Sequence, residues 1–429
     1  MRIATLQIAS RLGDVEGNIK RADALLQEAR VDGPEGINVS LDEAKLDILV
    51  LPELALTGYN FPSLDAIKPY VEEVGKGPSA EWARRTARRL RCKVCVGYPE
   101  IEFSTGTEGG AREEKYYNSL LVVNEEGSTL LNYRKTFLYY TDETWASEGS
   151  AELGFHQLTF PTQNQSTAPS SQTETKLPAP ARAQGEAAIL PPPPPSTTLE
   201  KPTAKPGKEI ATSFGICMDI NPYRFEAPYS AYEFAHRVLD SNSQLVILSM
   251  AWLTLLSREE LDNLKGEPEM DTFNYWIQRF MPLIRQRLRF DSNADENESE
   301  NENDGENGGG DGEGSRKEKK IILVFANRAG EEGTGDKLAR YAGTSTVITI
   351  SQRATSLSSS STAALPDSGN ADGNGGGSGS SDDGTGDNDS PLDVSLHCWA
   401  ILGAATEGVC FADTRAEPEV VFKLVKPRG

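Results

Sequence analysis

Apolar and polar positions alternate at the start of the chain. Ala4, Leu6 and Ile8 recur at every second residue and predict a strand over 2–10 with one face on a core. The period then changes: Ile19, Ala22, Leu25, Leu26 and Ala29 line one stripe of a helix over 18–29. Within 47–51, Ile48-Leu49-Val50-Leu51 is apolar throughout, as in a strand buried on both faces. Ser79 is placed to cap a helix over 82–90 that buries Trp82, Ala83, Thr86, Ala87 and Leu90, and 93–98 returns as a strand. Residues 118–124 and 129–133 flank Glu125-Glu126-Gly127 and predict a hairpin. Beyond it come a strand ending at Cys217, a helix over 225–239, a strand over 244–250 and a helix over 272–289. Strands over 321–326, 344–351 and 394–402 complete the pattern, an α/β fold with helices packed on sheets.

Three stretches break this patterning. Residues 162–206 are rich in Pro, Ser, Thr and Gln, 291–316 are mostly Asp, Glu, Asn and Gly, and 354–390 are Ser, Gly, Asp and Asn. Such compositions bury too little apolar surface to offset backbone ordering and predict disordered insertions. Removing them leaves roughly 320 residues, within reach of one domain over 1–414, followed by a tail over 415–429. The insertions also depress the hydrophobic content to 37% and carry most of the net charge of −21, which argues against a nucleic-acid partner. The run Arg84-Arg85-Thr86-Ala87-Arg88-Arg89-Leu90-Arg91 reads as the solvated face of its helix rather than a nuclear signal. The N-terminus lacks the pattern of a signal peptide, and no apolar run approaches the length of a membrane span. Five scattered cysteines suit a reducing compartment, so the expected location is cytoplasmic, with the nucleus as an alternative. Cys92 and Cys95 have CxxC spacing but fall on a strand, where positions three apart face opposite ways, so no metal and no cofactor are expected.

Three reactive residues sit at strand ends, where sheet proteins present functional groups. Glu53 follows the apolar strand in Leu51-Pro52-Glu53-Leu54, Lys135 follows the hairpin in Tyr133-Arg134-Lys135-Thr136-Phe137, and Cys217 ends Gly215-Ile216-Cys217. Each has an ordinary use on its own: a solvated strand end, a snorkelling lysine, a core thiol. A Cys-His hydrolase would need His156, His236 or His397, none of which lies in a recognisable signature.

Together the three segments resemble the signature boxes of the nitrilase superfamily, in the family order Glu, Lys, Cys, and the resemblance runs from Met1 to about Thr414. Asn327-Arg328-Ala329-Gly330 and Gly343-Thr344-Ser345 match later family positions. The resemblance implies a single four-layer α-β-β-α sandwich and a thiol amidohydrolase without cofactor. In it Glu53 is the proton shuttle, Cys217 the nucleophile, and Lys135 with the Met218 N–H the oxyanion site. It also implies a second glutamate after the lysine. Glu143 fits that role, with Asp142 as its competitor. Asp219 matches a family position and reads as mainly structural.

The string Gly215-Ile216-Cys217-Met218-Asp219-Ile220-Asn221-Pro222-Tyr223-Arg224-Phe225-Glu226 departs from the common Cys-x-Asp-x-Arg pattern. It looks like the fungal protein N-terminal amidase branch, as do Leu248-Ser249-Met250-Ala251-Trp252-Leu253 and Glu407-Gly408-Val409-Cys410. That branch implies deamidation of N-terminal Asn and Gln of proteins, feeding degradation governed by the N-terminal residue. Tyr59, Asp142, Met218, Asp219 and Trp252 are the substrate-contact candidates. Trp252 reads equally as a core aromatic, and Asp142, Glu143 and Asp219 are candidates for the substrate α-ammonium. Other readings are an amidase for a small metabolite (an ω-amidase or a carbamoyl-amino-acid hydrolase), a glutamine-hydrolysing module, and a non-catalytic scaffold that binds N-termini or engages SH3-type partners through 191–195.

Overall fold

The strands predicted over 2–10, 47–51 and 93–98 form the centre of a six-stranded sheet. The structure, a computed structural model, describes residues 1–33, 37–104, 113–161, 207–286, 319–354 and 392–423. The low-complexity segments 162–206 and 291–316, and 354–390 apart from Ala354, lie outside the described residues. In the first sheet, β1 (Arg2–Gln7), β2 (Ile48–Val50) and β3 (Lys93–Ser104) run parallel. Beyond β3, β4 (Glu113–Val123) and β5 (Thr129–Arg134) follow antiparallel. Helices α1 (Val15–Glu28) and α2 (Gly77–Leu90) cover the outer face of this sheet. Ala4, Leu6 and Leu49 join Leu25, Leu26, Trp82 and Ala87 in one buried cluster. Alternate positions point the other way, and Ile3, Ile48 and Val50 are equally buried, which is why β2 is apolar throughout.

The second sheet contains β6 (Phe155–Phe160), β7 (Lys208–Ile216), β8 (Leu245–Ser249) and β9 (Lys319–Ala326), with β7, β8 and β9 parallel. Strands β10 (Thr346–Ala354) and β11 (Leu392–Ile401) continue it antiparallel. Strand β12 (Gly408–Asp413) instead pairs with β1 in the first sheet, and β13 (Val420–Lys423) pairs with β11. Helices α3 (Glu233–Asp240), α4 (Met270–Arg279) and α5 (Met281–Arg285) cover the second sheet, completing the α-β-β-α sandwich. The chain divides into two compact units: Met1–Gln157 with Ala211–Gly429, and Leu158–Ile210. Of the second, 158–161 and 207–210 are described, as the ends of two strands.

Several elements differ from the sequence pattern. Helix α2 starts at Gly77 rather than near Trp82, and Ser79 does not cap it. The Glu72 carboxylate does so, accepting the Ser79 N–H at 3.1 Å and its hydroxyl at 2.7 Å. The helix expected over 225–239 shortens to α3, because the segment before it, with Pro222 and Pro228, forms two 3₁₀ turns. The helix expected over 272–289 breaks at Phe280 into α4 and α5. The expected tail over 415–429 supplies β13.

Candidate active site

Parallel strands place the residues after their carboxyl ends at one pole of a sheet. Glu53 follows β2, Cys217 follows β7, Ala251 and Trp252 follow β8, and Asn327-Arg328 follows β9. Lys135 leaves β5 beside β4, its backbone N–H bonding to the carbonyl of Asn118 at 2.8 Å.

These residues meet in a buried cluster. Lys135 Nζ donates to Glu53 Oε1 and to Asp142 Oδ2, both at 2.6 Å, and all three side chains are excluded from water. The Asn118 amide joins the two carboxylates, donating to Glu53 Oε1 at 2.6 Å and Asp142 Oδ1 at 3.0 Å. Glu53 Oε2 accepts the Ala251 N–H at 2.8 Å. Tyr59 lies under the ammonium, 5.6 Å from Nζ to the ring centre, and its hydroxyl donates to Asp142 Oδ2 at 3.2 Å.

Cys217 begins a 3₁₀ turn (Cys217–Ile220) in the left-handed region, at φ 42°. A residue with a Cβ adopts that region only when its surroundings hold it there. The Asp219 carboxylate is the restraint. Its Oδ2 accepts from the Ile216 N–H and the Tyr133 hydroxyl, each at 2.7 Å. Its Oδ1 accepts from the Thr136 N–H at 2.9 Å, the Thr136 hydroxyl at 2.7 Å and the Phe137 N–H at 2.8 Å. Asp219 therefore ties the cysteine turn to the lysine loop. With five donors on its oxygens it has no capacity left for substrate, correcting its candidacy as a contact.

The Glu53 loop is held from behind. The Arg328 guanidinium donates to the carbonyls of Leu54 at 2.9 Å and Glu53 at 3.3 Å and pairs with Glu332. Glu332 accepts the N–H groups of Tyr59 at 2.9 Å and Asn60 at 2.8 Å, and the Tyr341 hydroxyl at 2.7 Å.

Burial dominates the electrostatics. It pushes the Cys217 thiol well above its ordinary pKa, and the Glu53 carboxylate adds to the rise, while Lys135 and the Ala251 N–H oppose it. Burial likewise raises Glu53 against the pull of Lys135. Burial alone would lower Lys135, but Asp142 and Glu53 outweigh it and keep the ammonium charged. The proton affinities of the thiol and of the nearby carboxylate are thus both raised, the combination a thiol and its general base use.

Residues 2–174 match the carbon-nitrogen hydrolase family. The match covers the segments that carry Glu53 and Lys135. The chain is 28% identical over 351 residues to the protein N-terminal amidase of Saccharomyces cerevisiae, covering 68% of this chain and 66% of the relative, just short of two thirds of its length. It is 27% identical over 366 residues to the protein N-terminal amidase of Schizosaccharomyces pombe, covering 82% and 92%. Its fold matches a crystal structure of N-terminal amidase with an Asn-Glu-Ala peptide, with a TM-score of 0.59, 23% identity and 99% coverage of both chains.

One further placement corrects the sequence reading. Glu143 is exposed on the 3₁₀ turn Asp142–Thr144, and Asp142 takes the position beside Lys135. Tyr59 is buried against Lys135 and Asp142, to which its hydroxyl donates. Met218 is buried, its sulfur accepting from Asn221 Nδ2 at 3.2 Å. Trp252 is half-buried, its ring 5.4 Å from Tyr275 and 6.0 Å from Trp276, and its backbone N–H donates to Asn327 Oδ1 at 2.7 Å. Asn118, Glu332 and Tyr341 had no part in the sequence reading. A buried amide inside the apolar run of β4 was the available signal for Asn118.

Among the described residues no group of His, Cys, Asp or Glu is arranged to hold a metal ion, and no helix is long and apolar enough to cross a membrane.

Proposed function

We propose that the chain hydrolyses the side-chain amide of an N-terminal Asn or Gln, releasing ammonia and leaving Asp or Glu. One observation carries the chemistry: Glu53, Lys135 and Asp142 form a closed, water-free hydrogen-bonded set beside a Cys217 held in a left-handed turn. In this reading Glu53 accepts the thiol proton as Cys217 Sγ attacks the amide carbon. The carbonyl oxygen becomes an oxyanion next to Lys135 Nζ and the Met218 N–H. Collapse expels ammonia, which takes the proton from Glu53, and a thioester remains. Glu53 then deprotonates water, whose oxygen displaces the thiol. Asp142 keeps Lys135 charged and aimed.

The substrate class is supported by the relatives' activity and by a likeness of fold that spans nearly all of both chains. Its product would expose a new acidic N-terminus to degradation. Five buried, unpaired cysteines fit action in the reducing cytoplasm or nucleus.

Ammonia release from an Asn-initiated peptide, its N-acetylated form and a free ω-amide tests the substrate. Recognition of the α-ammonium predicts a loss of about 10- to 150-fold in kcat/KM on acetylation. Equal turnover of the two peptides, or preference for the free amide, would overturn the reading in favour of a small-molecule amidase.

A further inference from the structure

Both loops that carry reactive groups continue outward into aromatic residues. Past Lys135 the chain reads Phe137-Leu138-Tyr139-Tyr140, and past Cys217 it reaches Tyr223-Arg224-Phe225. The fold brings these stretches together. Phe137 and Tyr223 have ring centres 5.0 Å apart, as do Tyr139 and Tyr140. Phe225 closes on Tyr139 at 6.4 Å and on Tyr140 at 6.0 Å. Tyr139 is the link inward, since its backbone N–H donates to Asp142 Oδ2 at 3.0 Å. Its phenol pKa is raised by burial and then by the nearby Cys217.

The outer rings face water: Tyr140 is 61% exposed and Phe225 47%. Packing gives no reason to display them. Arg224 and Phe225 are moreover both left-handed, at φ 54° and 57°, a conformation that disfavours any residue with a Cβ. The loop is pinned in that state by Glu148, whose Oε1 accepts the Tyr223 hydroxyl at 2.9 Å and lies 3.8 Å from Arg224. Strain that presents an apolar ring to solvent, next to a reaction centre, is the mark of a binding surface.

We infer that the ledge formed by Tyr139, Tyr140 and Phe225 is the subsite for the second residue of the substrate chain, and that it selects a bulky apolar side chain there. This rests on the proposed function: a peptide whose first side chain reaches Cys217 must pass its next residue across the adjoining surface. The ledge grows from both catalytic loops, so the second residue meets it directly. Tilted aromatic rings supply apolar area with little side-chain entropy to lose.

The test is a matched pair of peptides, Asn-Phe and Asn-Gly with identical remaining sequence, assayed for kcat and KM with wild type, Phe225→Ser and Tyr140→Ser. Wild type is expected to favour Asn-Phe by about tenfold in kcat/KM, chiefly through KM. Either substitution, at an exposed position where folding is preserved, is expected to bring that ratio toward one. Turnover of both peptides at equal kcat/KM by wild type overturns this inference alone, and so does a ratio unchanged in both variants. Absence of turnover with either peptide overturns the proposed function and this inference with it.

Discussion

Asp142 and Glu143 are neighbours in sequence, yet only Asp142 meets Lys135. They lie on a 3₁₀ turn, where successive side chains diverge by about 120°, so one faces the buried ammonium and the other water. The spacing from Lys135 favoured Glu143, and nothing in the sequence sets the phase of a one-turn helix. Glu53, Lys135 and Cys217 were singled out by the joint resemblance of their segments to the nitrilase signature boxes, since a residue at a strand end has an ordinary use on its own. Asn118 was hidden because its role depends on two carboxylates distant in sequence. The expected contrast is sharp. Asp142→Asn should lower kcat/KM by about 10- to 100-fold, whereas Glu143→Gln should stay within about twofold. Asp142→Ala, which strips a partner from a buried ammonium, should also cost about 3–5 kcal/mol in urea unfolding. If Glu143→Gln proves the damaging change, the placement of the two carboxylates is wrong. Cys217→Ser should remove turnover while leaving the urea midpoint within the range of surface substitutions, since the hydroxyl occupies the same strained turn.

Elements followed their hydrophobic periods wherever a core decided them. Strands β1, β2 and β8 and helix α1 matched the pattern to within a few residues, because each carries a buried apolar period or run, whereas β3 continues six residues past its expected end to Ser104. Strand β12 was missed, since the partner that gives Gly408–Asp413 its strand pairing, β1, lies at the other end of the chain. The cap of α2 was misread because Glu72 takes the place expected for Ser79. That carboxylate has a measurable consequence. Burial raises Glu72 from 4.5 to about 7, against the two bonds from Ser79. The folded state therefore holds this proton up to about pH 7, while the unfolded chain releases it near 4.5. The resulting stability is complete below pH 4.5 and is lost as pH rises to about 7, a change on the order of 3 kcal/mol. Urea unfolding across that window should show the decline, and Glu72→Gln should flatten it. An unchanged slope in the variant would assign the pH dependence to another group.

At the scale of the whole molecule, the reactive residues stand at the carboxyl ends of parallel strands, and the low-complexity segments join at other strand ends. Strand β7 begins at Lys208 and ends at Ile216, next in sequence to Cys217. Strand β9 likewise begins at Lys319 and ends beside Asn327, and β10 begins after Ser345 and ends at Ala354. Long loops add little closure entropy, so a fold tolerates them at such ends. Replacing 162–206, 291–316 and 354–390 with short Gly/Ser connections should leave kcat/KM on a short peptide within about threefold. A tenfold loss in a chain of unchanged circular dichroism would mean that at least one segment reaches the site. The central claim, that Cys217 with Glu53 and Lys135 deamidates N-terminal residues, has one most direct measurement. An Asn-initiated peptide is incubated with wild type and with Cys217→Ser, and the product is sequenced by tandem mass spectrometry. The account predicts conversion of the first residue, and of no internal Asn, to Asp by wild type, and none by the variant. An unaltered peptide with active wild-type protein, or equal conversion by Cys217→Ser, would contradict it.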